Sequence, residues 1–314
     1  MIDNTAPYDL NIPVNCGANT TPTLLVKRAL ALGYRTVALN VQVVTDNSFL
    51  SRLPSRPQVS QSQFLTRKQA KDKSKTGPGT LSDFPPPPTV QLSPQDYPEL
   101  ARRGLAPTIL TRLTISITSN DFLLHYNKSS VAKQYDLLAI NLTTAPCLLA
   151  LLKSGFRWDI LSFSPSEVEM FQMKWTRKLY YECVDKNVYL ELPYAALIRD
   201  REERRRVISQ AHNYHSVGKS RNIILTSGAT EPLQLRASTD VANLAFILGL
   251  TANQGVDSVG VTSWACHKSA VGRRMGPFQV RVEKLPALEL TDGESDSGDG
   301  SEDSGSQSDD METD

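Results

Sequence analysis

Short apolar strand patterns alternate with helical patterns along most of this chain, and this alternation limits the fold more than any other feature. A helix between successive strands is typical of parallel pairing, and about seven such units favour a closed barrel over an open sheet. We therefore predict an α/β fold of the (β/α) barrel type. The expected strands are residues 7–12, 35–42, 109–118, 136–142, 158–163, 188–194 and 222–227.

The first predicted helix, residues 21–33, has residues that favour helix initiation at one end and helix termination at the other. Thr21 is suited to cap the first turn, Pro22 fits the first helical position, and Gly33 can end the helix. We expect the apolar face of this helix to pack on the barrel.

Composition divides the chain into four parts. Residues 1–50 should form the first part of the barrel, and residues 108–285 the remainder with the C-terminal helices. Residues 51–107 are rich in Pro, Ser and Gln, which predicts a mostly disordered insertion with one short helix at 94–103. Residues 286–314 should be a disordered acidic tail. The basic cluster RKQAKDKSK at 67–75 is a nuclear localisation signal, an RNA contact or a solvated loop.

Charge is distributed unevenly along the chain. Residues 292–314 contain ten acids and no Lys or Arg, although the net charge of the whole chain is only +1. The 34 Lys and Arg residues therefore face 23 acids in residues 1–291, a net charge of +11. A basic body indicates either a polyanionic partner such as RNA or a solubilising excess of charge.

Residues that could perform catalysis or hold a metal are scarce. The four cysteines contain no CxxC pair, which favours a reducing compartment over a disulfide scaffold or zinc knuckle. His212 and His215 form an HxxH pair, a spacing that is more often found in surface or capping histidines than in metal sites. Gly228 alone falls short of a P-loop. We expect no catalytic residue, metal or cofactor, no membrane span and no secretion signal.

The segment NIILTSGATEPLQLR, residues 222–236, runs from a strand through a glycine turn toward a helix. Ser227, Gly228 and the backbone nitrogens beyond them could hold a phosphate, and Arg236 could add a charge-assisted contact. The alternative is that this segment only turns a corner of the fold.

Seven segments together resemble one known family, the thirty-kilodalton protein subunit of eukaryotic and archaeal ribonuclease P, which is shared with ribonuclease MRP. They are YDLNIP, GYRTVALN, ILTRLTISI, YDLLAINL, VYLELPY, NIILTSGATEPLQLR and DVANLAFILGL, in order over about residues 7–285 with the insertion excluded. The resemblance implies a distorted TIM-like barrel that binds ribonuclease P RNA and MRP RNA beside a small protein subunit. It also implies an indirect contact with precursor tRNA, catalysis by the RNA, and a nuclear and nucleolar location.

This sequence departs from the patterns of related proteins at informative places. The family usually has a glycine and a proline after the signature arginine, whereas Ala237, Ser238 and Thr239 follow Arg236 here. The insertion is longer than the family suggests. Related metal-dependent phosphoesterases of the polymerase-and-histidinol-phosphatase (PHP) type carry two first-strand histidines, at the positions of Asn11 and Pro13. Those residues are poor metal ligands. A phosphoesterase and a protein-only scaffold remain as alternative functions.

Seven basic residues are our candidates for RNA contact. The run RDREERRR at 199–206 could instead be a helix face laced with internal ion pairs. The candidates are Arg204, Arg205, Arg206, Arg236, Lys268, Arg273 and Arg274.

Two charged residues are expected inside the barrel. The alternation of ILTRLTISI and VYLELPY turns Arg112 and Glu191 away from the helices and toward the interior. Either charge would be costly to bury alone, so we predict a shared hydrogen-bonded network, directly or through an intermediary such as Asp9. The alternative is that Arg112 reaches a phosphate at the barrel mouth.

Overall fold

The structure, a computed structural model, describes residues 6–16, 20–45, 84–117, 126, 129–142, 145–166 and 174–276. Every strand expected from the sequence is present within about three residues at each end. The strands are β1 Tyr8–Pro13, β2 Thr36–Thr45, β3 Thr108–Ile117, β4 Leu137–Leu142, β5 Ile160–Ser162, β6 Tyr189–Pro193 and β7 Ile223–Thr226.

Helices lie between most successive strands of the described residues, and the last three follow one another after β7. They are α1 Pro22–Ala31, α2 Pro98–Arg102, α3 Ala145–Lys153, α4 Arg177–Asp185, α5 Ala195–Arg199, α6 Arg201–Gly218, α7 Ser238–Leu244, α8 Ala252–Val259 and α9 Val261–Met275. As predicted for α1, the Thr21 hydroxyl accepts from the Leu24 N–H at 3.3 Å, and Gly33 has a left-handed φ of 91°. No helix in the described ranges is long and apolar enough to cross a membrane.

The seven strands form one parallel sheet in sequential order, β1 to β7. β7 does not form a ladder with β1, but the Gly228 N–H just after it donates to the Asn11 carbonyl of β1 at 2.9 Å. The sheet is therefore a nearly closed barrel, which confirms the predicted fold class. We call the carboxyl ends of the strands the mouth and the opposite side the amino end.

The core has two layers because strand side chains alternate in direction. Outward-facing side chains pack beneath the helices in two large apolar clusters. Inward-facing residues near the strand starts, including Tyr8, Leu110 and Ile160, pack together with Cys266 and Ala270 of α9. Helix α9 therefore covers the amino end of the barrel.

Within the predicted insertion, residues 51–107, the structure describes residues 84–107, and these contact the barrel. Phe84 is buried in the main core, and the Tyr135 hydroxyl donates to the Pro85 and Pro86 carbonyls at 2.9 and 3.2 Å. Proline restricts the backbone of the unfolded chain, so a short proline run loses little entropy when such contacts order it. The expected short helix is present as a 3₁₀ turn at Pro94–Asp96 followed by α2. Residues 51–83 and the tail lie outside the described residues.

Candidate nucleic-acid interface

A bidentate ion pair crosses the barrel interior toward its mouth. Arg112 Nη1 donates to Glu191 Oε1 at 2.6 Å, and Nη2 donates to Oε2 at 2.5 Å. Both side chains are fully buried. The two residues predicted to point inward thus meet directly, in the fork geometry that gives arginine–carboxylate pairs their strength.

Polar side chains from five other positions surround this pair and, together with it, make up what we call the polar layer. Glu191 also accepts hydrogen bonds from Asn11, Thr226 and Ser162 at 2.9, 2.7 and 2.7 Å. Arg112 donates further to the Leu10 carbonyl and to Thr114, which in turn donates to Asn40. The members of the polar layer are Asn11, Asn40, Arg112, Thr114, Ser162, Glu191 and Thr226.

The polar layer keeps Glu191 ionised. Burial alone would raise the pKa of its carboxyl, but Arg112 and the hydrogen bonds from Thr226 and Ser162 outweigh burial and lower the pKa below its usual value. Active sites of (β/α) barrels lie at the mouth. Here both carboxylate oxygens of Glu191 already accept hydrogen bonds from donors of the protein itself. Within the described ranges, no three His, Cys, Asp or Glu side chains come together as a metal site.

Asp9 is not the intermediary that the sequence suggested. Its carboxylate accepts from the backbone N–H groups of Asn11 and Ser227 at 3.2 and 2.9 Å, and it has no hydrogen bond to Arg112 or Glu191. A register shift in β1 lies between Asp9 and Ile12. This bulge lets Asn11 point inward, where its side-chain amide donates to Glu191. Asp9 therefore joins β1 to the segment after β7.

Ser227 and Gly228 also join β7 to β1. We call this junction, formed by Asp9, Asn11, Ser227 and Gly228, the seam. Ser227 is fully buried, and its hydroxyl donates to the Asn11 carbonyl at 3.0 Å. Gly228 has a φ of 56°, and a Cβ there would lie 3.0 Å from Cβ of Pro193. The Ser227 hydroxyl and the Gly228 N–H, two of the donors that the sequence offered to a phosphate, thus bind the Asn11 carbonyl and help to close the barrel.

The predicted basic residues of α6 lie near the barrel mouth, where the helix begins. Arg204 Nε donates to the Leu197 carbonyl, and Arg206 Nη1 donates to the Pro165 carbonyl at 2.8 Å. Arg205 is exposed and makes no hydrogen bond or ion pair with any described residue. The alternative of internal ion pairs holds for Arg199 and Glu203, whose side chains are 2.6 Å apart. Most of the arginine run thus presents its charge at the surface.

Arg236 lies on the same side of the molecule, in the loop after β7. Its Nη1 donates to the carbonyls of Leu233 and Leu235 at 2.6 and 3.1 Å, and its backbone N–H donates to the Tyr194 hydroxyl. The side chain lines a cavity of about 350 Å³ together with Asp240, Asn243 and Leu244. Arg236 is half-buried and partly engaged by its own loop.

The other three basic residues predicted to contact RNA lie on α9, at the amino end of the barrel. Arg273 forms a fork with Asp159, with Nη2–Oδ2 and Nε–Oδ1 distances of 2.8 and 3.0 Å, and Arg274 Nη1 lies 2.7 Å from Asp136 Oδ1. The Lys268 ammonium lies 4.9 Å from the Trp264 ring centre. The predicted RNA contacts therefore divide into two groups at opposite ends of the barrel, which no sequence pattern indicated.

The two acidic partners of α9 were missed in the sequence. Asp136 and Asp159 each stand directly before an apolar strand, β4 and β5. An acid at the start of two successive parallel strands places both carboxylates at one end of a barrel, and this pattern could have indicated them. Burial lowers the pKa of the Arg273 guanidinium, but the Asp159 carboxylate outweighs burial and raises the pKa above its usual value.

Relatives of this chain share its sequence over long stretches. The mouse protein named ribonuclease P protein subunit p30 is 31% identical over 191 residues, which cover 60% of this chain and 69% of the mouse protein. The Saccharomyces cerevisiae protein named ribonuclease P/MRP protein subunit RPP1 is 28% identical over 132 residues, covering 42% and 44%.

Two solved structures are similar at lower identity. One is a chain of an archaeal ribonuclease P solved with mature tRNA, with a TM-score of 0.45 and 16% identity over 63% of this chain and 86% of that chain. The other is a histidinol phosphate phosphatase from Lactococcus lactis, with a TM-score of 0.43 and 10% identity over 77% and 92%. The family model described as RNase P subunit p30 matches residues 6–271, which include every strand of the barrel. The chain belongs to the ribonuclease P subunit p30 family.

Proposed function

We propose that this protein is a non-catalytic, RNA-binding subunit of the ribonuclease P ribonucleoprotein, which removes 5′ leaders from precursor tRNA, and of ribonuclease MRP. In this proposal the protein stabilises and positions the RNA, and the RNA performs the cleavage. Its partners are ribonuclease P RNA, MRP RNA and the other protein subunits, including a small subunit that pairs directly with it. Precursor tRNA is contacted only indirectly, and the location is the nucleus and nucleolus.

The polar layer is the observation that carries the non-catalytic part of this proposal. A hydrolytic barrel needs carboxylates or imidazoles at its mouth that can accept a metal, a water or a substrate proton. Here Glu191 is neutralised by Arg112 and accepts three further hydrogen bonds. A metal or substrate that bound Glu191 would have to displace Arg112 from it. The buried arginine would then lack its counter-charge, at a cost of several kcal/mol as an order of magnitude. The arrangement favours a structural role over the phosphoesterase alternative.

Surface charge supports the RNA-binding part. Residues 1–291 carry a net charge of +11. Exposed basic side chains lie on both sides of the barrel. Arg205 lies beside the mouth, and Lys268 lies at the amino end. Lysines and arginines that neutralise phosphates release condensed counterions, so a body with this charge gains affinity for any RNA backbone it touches.

Purification of the tagged full chain from cells, followed by sequencing of the bound RNA, tests this proposal. We expect ribonuclease P RNA and MRP RNA to be enriched over total RNA together with protein subunits of the same particle. Recovery of the protein partners without either RNA would support the scaffold alternative. A stoichiometric bound metal with phosphatase activity in the pure protein would support the phosphoesterase.

A further inference from the structure

A basic cavity with aromatic walls opens at the amino end of the barrel, away from the mouth. Its volume is about 470 Å³, within the range of pockets that hold small ligands. Among the described residues, four basic side chains line it and no acidic one does. The lining residues are Tyr126, Lys133, Ser154, Gly155, Phe156, Arg157, Arg273 and Arg274.

The two arginines of α9 are held in place from behind. Asp159, whose side chain is only 2% exposed, binds Arg273 through both of its oxygens, and Asp136 binds Arg274. The Asp136 carboxylate is itself fixed by the backbone N–H and hydroxyl of Thr111 at 2.8 and 2.9 Å. Because these side chains are already ordered, a ligand would not bear the entropic cost of immobilising them.

Arg157 differs from the α9 arginines in having no such support. It is exposed and makes no hydrogen bond or ion pair with any residue that the structure describes. Its charge is therefore not neutralised by any described residue and lies at the rim of the cavity, where an anionic ligand could bind it.

The aromatic wall of the cavity packs against neighbouring rings. The Phe156 ring lies 5.2 Å from the Tyr126 ring in an edge-to-face arrangement and 6.2 Å from Trp158 in a stacked one. Aromatic rings beside positive charge are the combination that binds single-stranded nucleic acid, because bases stack on the rings while cations neutralise the phosphates. An acidic peptide would use the same charges but gain nothing from the ring that a leucine would not supply.

We propose that this cavity binds an unpaired nucleotide of RNA, with the base against Phe156 and its phosphates near Arg157 and Arg274. This inference rests on the proposed RNA-binding function and deepens it. In this site Arg273, which is bound to Asp159, is a positioning residue that helps to shape the cavity. The site is distinct from the basic residues at the mouth.

The test measures affinity of the purified full chain for two fluorescent RNA probes, a single-stranded decamer and a duplex of equal length. Phe156→Leu keeps apolar volume but removes the ring, and it should weaken decamer binding about tenfold, the scale of one base stack. Arg157→Gln should weaken it and lower the log–log salt slope by about 0.7, as expected for one phosphate contact on a single strand. Neither change should alter duplex affinity, and thermal unfolding checks that both variants fold.

Arg205→Gln is the matched control, since it removes one exposed charge at the opposite end of the barrel. It should affect decamer and duplex by the same factor. Equal effects of Arg157→Gln and Arg205→Gln on both probes would overturn the site, and so would unchanged decamer affinity in both cavity variants. Binding of the acidic peptide 292–314 that depends on Phe156 while the decamer does not would identify a protein segment as occupant. Failure of the wild-type chain to bind either RNA would refute the proposed function itself.

Discussion

Replacing Arg112 with Met should leave the buried carboxylate of Glu191 without its positively charged partner. Met fills much of the volume of the arginine, but Glu191 would keep only its hydrogen bonds from Asn11, Thr226 and Ser162 and would lose its counter-charge. Removing one partner of a buried ion pair costs about 3–5 kcal/mol, a large part of the roughly 5–15 kcal/mol by which domains are stable. We expect a loss of this size in urea denaturation followed by tryptophan fluorescence at pH 7.

The pH dependence of this loss identifies its cause. In the wild type the folded pKa of Glu191 is lowered, so its ion pair stabilises the fold above the unfolded value of about 4.3 and is lost as pH falls through the folded pKa. In Arg112→Met, the uncompensated burial should raise that folded pKa above 4.3. The penalty is then present at neutral pH and relieved by protonation. The stability difference between wild type and variant should shrink as pH falls from 7 toward about 4.

Glu191→Leu alone and the double variant complete a double-mutant cycle with Arg112→Met, and Arg199→Met is a control. Arg112→Met combined with Glu191→Leu removes both charges and should recover part of the lost stability, giving a coupling energy that the single changes alone do not. Arg199→Met breaks the partly exposed pair with Glu203 and should cost under about 1 kcal/mol. A variant Arg112→Met with unchanged stability but weakened RNA binding would refute this reasoning and place Arg112 in an RNA site.

Three other predictions concern the surface, the tail and the seam. Changing the arginines at 204–206 to Gln should flatten the log–log salt dependence of RNA affinity by about 0.7–0.9 for each phosphate that the protein no longer neutralises, and an unchanged slope would remove this segment from the RNA footprint. Deleting residues 292–314 should leave the thermal unfolding midpoint within experimental error and raise non-specific RNA affinity, because an acidic tail competes with phosphates for the basic body. A large drop in that midpoint would contradict this view of the tail. Gly228→Ala should destabilise the fold by about 1–2 kcal/mol in urea denaturation, because φ is 56° and Pro193 leaves little room for a Cβ; wild-type stability would show that the seam tolerates a side chain.

The barrel and its inner ion pair could be predicted because both depend on local periodicity. A strand with period 2 fixes the direction of each side chain, so Arg112 and Glu191 were placed inside from their neighbours alone. Two buried charges of opposite sign inside one barrel then had to meet, since either one alone would be too costly.

The bulge in β1 and the ordered proline segment could not be predicted in this way. A bulge inserts one residue without changing the composition of the strand, so YDLNIP does not reveal that Asn11 turns inward. Composition predicted a mostly disordered insertion over residues 51–107 with one short helix, and it gave no sign of the contacts that residues 84–107 make. Their order depends instead on Phe84 entering a core built from strands far along the chain and on Tyr135, some 50 residues away, binding the proline carbonyls.

The surface arginines could not be sorted into RNA-binding and structural residues from the sequence. An arginine that binds its own protein and one that binds RNA look alike in a sequence, because both are selected for the same fork of N–H donors. What distinguishes them is how many of those donors remain after folding. Arg273 gives Nε and Nη2 to Asp159, a residue 114 positions away, whereas Arg157 gives none to the described protein. The topology of the barrel sets that difference, and so Arg157, which the sequence did not single out, is the stronger candidate for direct contact with a phosphate.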